Sequence, residues 1–121
     1  MKLLVIGGTG FFGKSIIDSF IKNKLERFKI TDLCILSRSA NNFKKNHPEF
    51  INSRIEYHSC DIATADFLPN ADIIIHAATS TQQADYIENS NRQKHNTENG
   101  ISNYLNLAKK THKNSKIVYC S

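Results

Sequence analysis

One short stretch carries most of the chemistry this sequence offers: Gly7-Gly8-Thr9-Gly10-Phe11-Phe12-Gly13-Lys14-Ser15. Closely spaced glycines let backbone amides close on a phosphate, because no Cβ stands in the way. Two motifs overlap here. Gly7, Gly10 and Gly13 give G-x-x-G-x-x-G, and Gly8, Gly10 and Gly13 give G-x-G-x-x-G, the dinucleotide pattern. In that pattern one glycine makes the tight turn, one admits the pyrophosphate, and one lets a helix pack close to a sheet. Gly8 to Ser15 also reads G-x-x-x-x-G-K-S, in which a lysine curls over a triphosphate and a hydroxyl binds Mg²⁺. That second chemistry needs an Asp at the carboxyl end of a buried strand. Asp72 precedes Ile73-Ile74-Ile75, the wrong end, and Leu33–Leu36 runs into Ser37-Arg38 without an acid. Phe11 and Phe12 also suit the first turn of a helix better than a loop wrapped around a triphosphate. The dinucleotide reading is preferred; a nucleotide hydrolase and a bare glycine turn stand as alternatives.

The other reactive side chains are scattered. Three cysteines (Cys34, Cys60, Cys120) cannot pair completely and have no C-x-x-C spacing, so they read as small buried hydrophobes. The histidines lack metal-ligand spacing, and His76 reads as a satisfied strand-end histidine. No metal is expected.

The elements that must hold the glycine loop follow from the apolar pattern. Leu3–Ile6 is a continuous run of strand formers stopped by glycine, the signature of a strand buried on both faces. Phe12, Ile16, Phe20, Ile21, Leu25 and Phe28 then recur at helical spacing and predict one stripe. Leu33–Leu36 is a second strand, Pro48 stops any helix before it, and Arg54–His58 is a third strand. Ile73–Ile75 is a fourth. Residues 79–92 read as a loop leading to a helix whose face carries Ile101, Tyr104, Leu105 and Ala108, and Lys116–Cys120 is a fifth strand. Apolar strands with long crossovers predict an α/β fold, a Rossmann-like doubly wound parallel sheet of about five strands. A loop between the first strand and helix places phosphate at the helix N-terminus.

Length and charge narrow the class. The 121 residues fit one domain, 1–121, and no apolar run reaches the ~20 residues of a membrane span. The opening residues are too short an apolar run for a signal peptide, so a cytoplasmic, reducing setting is expected, with no membrane partner. The net charge of +5 raises nucleic acid as a partner, but the lysines are dispersed apart from Lys44-Lys45 and the group Lys109, Lys110, Lys113 and Lys116. Both groups read as solvated faces, the second at a helix C-terminus where cations suit the dipole. No nucleic acid is expected.

Gly7–Gly13, Leu36-Ser37-Arg38, Cys60-Asp61-Ile62, Ile75-His76-Ala77-Ala78-Thr79, Asn99-Gly100 with Leu105 and Ala108, and Ile117–Ser121 occur in an order that resembles the NAD-dependent epimerase/dehydratase family. These are the extended short-chain dehydrogenases/reductases, and the resemblance covers nearly the whole chain as their N-terminal, cofactor-binding part. It implies cofactor contacts at Gly7, Thr9, Gly10, Phe11, Phe12 and Gly13, and at Ser37 and Arg38. It further implies contacts at Asp61 and Ile62 with adenine, and at Ala77, Ala78 and Thr79, where small side chains let the cofactor lie against the backbone. The family usually ends strand two with an Asp on the ribose hydroxyls; an Arg there accommodates a 2′-phosphate. Ser37-Arg38 therefore favours NADP over NAD. A rival register ending the strand at Asp32 is set aside because Leu33–Leu36 is the better buried strand.

Catalysis in this family uses Tyr-x-x-x-Lys with a Ser or Thr; Tyr57, Tyr86 and Tyr104 have no Lys four positions on, and Tyr119 is expected to lack the pair as well. The family's helix asparagine falls at Thr97, one place from Asn96. The chain is thus expected to be the NAD(P)-binding portion of a longer sugar-nucleotide epimerase, dehydratase or reductase. It would lack catalytic residues and the substrate domain and be inactive alone. Its partners would be the dinucleotide and, in the longer protein, a nucleotide sugar, with a homodimer in view. A non-catalytic dinucleotide-binding or redox-sensing module is the second reading.

Overall fold

The computed structural model describes residues 1–7, 10–77 and 90–119, with the side chains of Phe11 and of 90–100 outside the description. Five strands form one sheet: β1 (Lys2–Ile6), β2 (Asp32–Ser37), β3 (Ile55–Ser59), β4 (Ile73–His76) and β5 (Lys116–Tyr119). Their order is β3-β2-β1-β4-β5, every pairing is parallel, and β1 lies at the centre. Among the described residues three helices connect them: α1 (Phe11–Ile21), α2 (Ala40–Asn46) and α3 (Ser90–Thr111), with short 3-10 turns at Glu26–Phe28 and Pro48–Phe50.

Alternation along the strands sorts the core into two layers. Leu3, Val5, Leu33, Ile35 and Ile55 face α1 and α2 through Ile17, Phe20 and Phe43. Leu4, Ile6, Cys34, Leu36 and Ile74 face Tyr104 and Ala108 of α3, with Ile62 and Leu68 filling the layer. Helices on both faces make the sheet doubly wound, as the apolar strands predict. The register Leu3↔Leu33 places Asp32 at the start of β2, which removes the rival register.

Helix phase and ends depart from the sequence reading. Ile17 is fully buried, whereas Phe12 is 48% exposed, so the stripe of α1 turns through Gly13, Ile17 and Phe20. The helix stops at Ile21 because Asn23 adopts a left-handed conformation. The Lys24 N–H then reaches Ser19 O and the Asn23 N–H reaches Phe20 O, closing off the last turn. Leu25 packs on the core from the following turn, and Phe28 stands exposed with the Arg27 guanidinium 4.7 Å above its ring. On α3 the buried face is Tyr104, Ala108 and then His112; Leu105 is exposed and Leu107 packs instead. The helix begins at Ser90, well before its first apolar residue at Ile101.

A buried polar pair anchors the end of α3. His112 Nε2 lies 2.8 Å from Pro69 O, which only accepts, so this nitrogen carries the proton. Nδ1 is then the acceptor for the Tyr104 hydroxyl at 3.1 Å.

Candidate functional site

Sheet order reverses between β1 and β4, so one crevice opens at the carboxyl ends of these two strands. Such switch points are where open α/β sheets hold ligands. Hydrogen bonds extend the ladder past the strand ends and set the neighbouring loops in a row. The Gly7 N–H donates to Leu36 O (2.7 Å), the Ala77 N–H to Ile6 O (2.8 Å) and the Cys60 N–H to Ser37 O (3.0 Å). Gly7, Ser37-Arg38, Cys60-Asp61 and Ala77 thereby come together on one edge. Asp72 stands at the opposite edge, where its Oδ2 accepts the Lys2 N–H at 2.8 Å. It cannot serve a metal bound near the glycine loop.

Gly7 has φ 81°, the left-handed region that side chains avoid, and it turns the chain off β1 toward α1. Gly10 caps α1 with ordinary extended backbone (φ −83°, ψ −171°), and a Cβ built there meets no atom of the described residues within 4 Å. Gly10 has no side chain with which to cap α1, and no acid lies in the helix's first turn. Its leading amides and the positive end of its dipole are left for an anion. Gly13 is buried and Phe12 is exposed on the same turn.

Ser37 Oγ accepts the Ser39 N–H at 3.3 Å, and Arg38 follows it exposed, with no ion pair to any described residue. Asp61 is half-buried; its Oδ1 accepts the Ala63 N–H at 2.9 Å while its carbonyl accepts the Thr64 N–H at 3.1 Å. The carboxylate therefore caps its own turn. Ile62 is 7% exposed and belongs to the core beneath that turn. Thr9, Ala78 and Thr79 lie outside the described residues, as does Gly8.

His76 differs from its reading as a satisfied histidine. It is 4% exposed, its ring packs 5.1 Å from Tyr104 and 5.5 Å from Tyr119, and its Nε2 has no hydrogen-bond partner among the described residues. Burial pushes its pKa down, favouring the neutral ring. Cys34 is buried, as expected, and Cys60 half-buried. Cys34, Glu56 and His58 bring potential ligand atoms within 4.8 Å of one another. Burial pushes the Cys34 thiol up to about 12, and Lys2 Nζ shares Glu56 Oε2 with His58 Nε2.

Sequence reasoning missed Asn103. Its Nδ2 donates to Ile62 O (2.6 Å) and Ala65 O (3.0 Å), tying α3 to the loop that carries Asp61.

Among the described residues no helix is long and apolar enough to cross a membrane. No curated protein matches the sequence. Solved structures do. Pen from Bacillus thuringiensis superposes with a TM-score of 0.76 at 28% identity, over 98% of this chain and 36% of its own. The dTDP-glucose 4,6-dehydratase DesIV from Streptomyces venezuelae, solved as a double mutant with NAD bound, gives 0.76 at 19% over 93% and 37%. The Thermus thermophilus UDP-glucose 4-epimerase, complexed with NAD, gives 0.60 at 19% over 93% and 35%. The chain spans about a third of the length of each. The sequence model of the 3-beta hydroxysteroid dehydrogenase/isomerase family matches residues 4–121. Spanning nearly the whole chain, that match makes it a member of this family, within the wider NAD-dependent epimerase/dehydratase group that the glycine loop and strand-end residues resemble.

Proposed function

We propose that residues 1–121 form the N-terminal, dinucleotide-binding part of a nicotinamide-dependent oxidoreductase. The observation that carries this is the left-handed Gly7 turn feeding the Gly10-capped α1 at the switch between β1 and β4. The pyrophosphate would accept hydrogen bonds from the first amides of α1, with Gly10 leaving room for its approach. Ala77 would let the cofactor lie against the end of β4, Asp61 would accept from the adenine amino group, and Arg38 would meet a 2′-phosphate. NADP is favoured over NAD on that last ground. The cofactor supplies hydride transfer; the longer protein would oxidise or reduce a secondary hydroxyl, with a nucleotide sugar as substrate. A hydroxysteroid offers the same reacting group, and the family description supports it as the second reading. Tyr57, Tyr86 and Tyr104 are followed four positions on by Asp61, Ser90 and Ala108, so none of these three supplies a Tyr-x-x-x-Lys proton-transfer pair.

Calorimetric titration with NADP⁺, NAD⁺ and ATP, with and without Mg²⁺, tests this reading. Dinucleotides should bind without metal, and Arg38→Ala should weaken NADP⁺ about tenfold, the loss of one charge-assisted bond of ~1.5 kcal/mol, while sparing NAD⁺. Mg²⁺-dependent ATP binding in preference to both dinucleotides would overturn it.

A further inference from the structure

The loop after β3 is held by three different devices. At its start the Cys60 N–H donates to Ser37 O at the end of β2. In its middle Asp61 Oδ1 is fixed by the Ala63 N–H. At its far side Asn103, from α3, gives hydrogen bonds to Ile62 O and Ala65 O, carbonyls 41 and 38 residues away in sequence. The third device differs from the others because it comes from the opposite end of the chain. Ile62 and Ala65 are each 7% exposed, so their carbonyls sit where water is scarce and a lost donor is not readily replaced.

The Asn103 amide brackets the Asp61 turn, one bond to the residue just after Asp61 and one to the residue four beyond it. We infer that Asn103 is the positioning residue for the Asp61 carboxylate, holding it where it recognises the exocyclic amino group of adenine. This rests on the dinucleotide reading above and adds to it a determinant of base selectivity on an element distant from the base. Asn103 does not itself touch the ligand in this account. Its amide fixes a turn, the turn fixes Oδ1 of Asp61, and the orientation of the carboxylate as a whole follows.

The test is a ratio. NAD⁺ and nicotinamide hypoxanthine dinucleotide differ at the base only, the second lacking the amino group. The protein should bind NAD⁺ roughly tenfold more tightly than the hypoxanthine analogue, the worth of one hydrogen bond to a carboxylate. In Asn103→Ala that preference should fall to within about twofold of unity, and in Asn103→Gln, which keeps an amide donor, it should be partly restored. A merely structural role would weaken both ligands alike and leave the ratio where it was, and that result would overturn the inference. Equal binding of the two dinucleotides by the unaltered protein would overturn it as well, while leaving the dinucleotide reading intact. Binding of neither would overturn that reading too. Should Asn103→Ala not fold, Asn103→Ser and Asn103→Gln carry the same comparison.

Discussion

Gly7 and Gly10 do opposite jobs in one loop. Gly7 is needed by the fold: at φ 81° a side chain would crowd the following carbonyl, and Gly7→Ala should cost about 1–2 kcal/mol in urea unfolding. Gly10 is not needed by the fold. Its backbone angles are ordinary and the space above it holds no atom of the described residues. Gly10→Ala loses a little as a helix cap and gains about 0.4–1 kcal/mol by restricting the unfolded chain, so stability should stay within about 0.5 kcal/mol of the parent. The added methyl would stand where the pyrophosphate must approach, and dinucleotide affinity should fall at least tenfold. A stable Gly10→Ala variant that binds NAD(P)⁺ normally would remove the glycine loop from the site.

At the scale of elements, α3 and β4 meet over a cluster of imidazole and phenol rings in which one nitrogen has no partner among the described residues. His112 is satisfied on both sides, but His76 Nε2 is not. Desolvation lowers the His76 pKa in the folded chain below the ~6.5 of an exposed histidine, so below that pH the unfolded state binds more protons. Stability contributed by the neutral ring is complete above about 6.5 and is lost as the pH falls toward the folded value. Denaturant unfolding at about pH 7.5 and about pH 5 should show this decline, and His76→Leu should reduce it while leaving the neutral-pH stability equal or slightly higher. An unchanged acid response in His76→Leu would place the proton elsewhere.

The same elements show what a sequence makes legible. Strands β1, β2 and β4 can be read directly because burial on both faces leaves unbroken apolar runs. The strand-end positions Gly7, Ser37, Arg38 and Ala77 then follow from where those runs stop, whereas Asp61 follows the half-exposed β3. Helix phase is harder. Phe12 and Leu105 are apolar yet exposed, while Ile17 and Leu107 take the inward places, and single apolar residues at adjacent positions fit either phase. The left-handed Asn23 that ends α1 looks like any polar residue in sequence. Asn103 was beyond reach because a helical asparagine ordinarily reads as surface, and its acceptors are set by tertiary packing.

For the whole molecule, the weak margin of the sheet is β5. Among the described residues it is one of the two outer strands, and Val118 and Tyr119 are 43% and 47% exposed on it. An outer strand with exposed apolar side chains invites another copy of the 121-residue chain to join the sheet. Sedimentation velocity should show concentration-dependent self-association, and Val118→Lys should suppress it by making the joined edge carry charge. A chain monomeric at all concentrations would mean that the edge is protected in another way.

The position of β1 has a consequence for synthesis. The strand at the centre is made before both of its neighbours, which are themselves made at very different times: the Met1 ammonium reaches Thr31 across 30 residues, and the Lys2 amide reaches Asp72 across 70. At a ribosomal pace of roughly 5–20 residues per second, β1 can pair with β2 on one side while its other side waits seconds longer for β4. For that interval the most apolar strand of the protein is itself an edge. The nascent chain, rather than the finished one, is where capture by a chaperone would matter most.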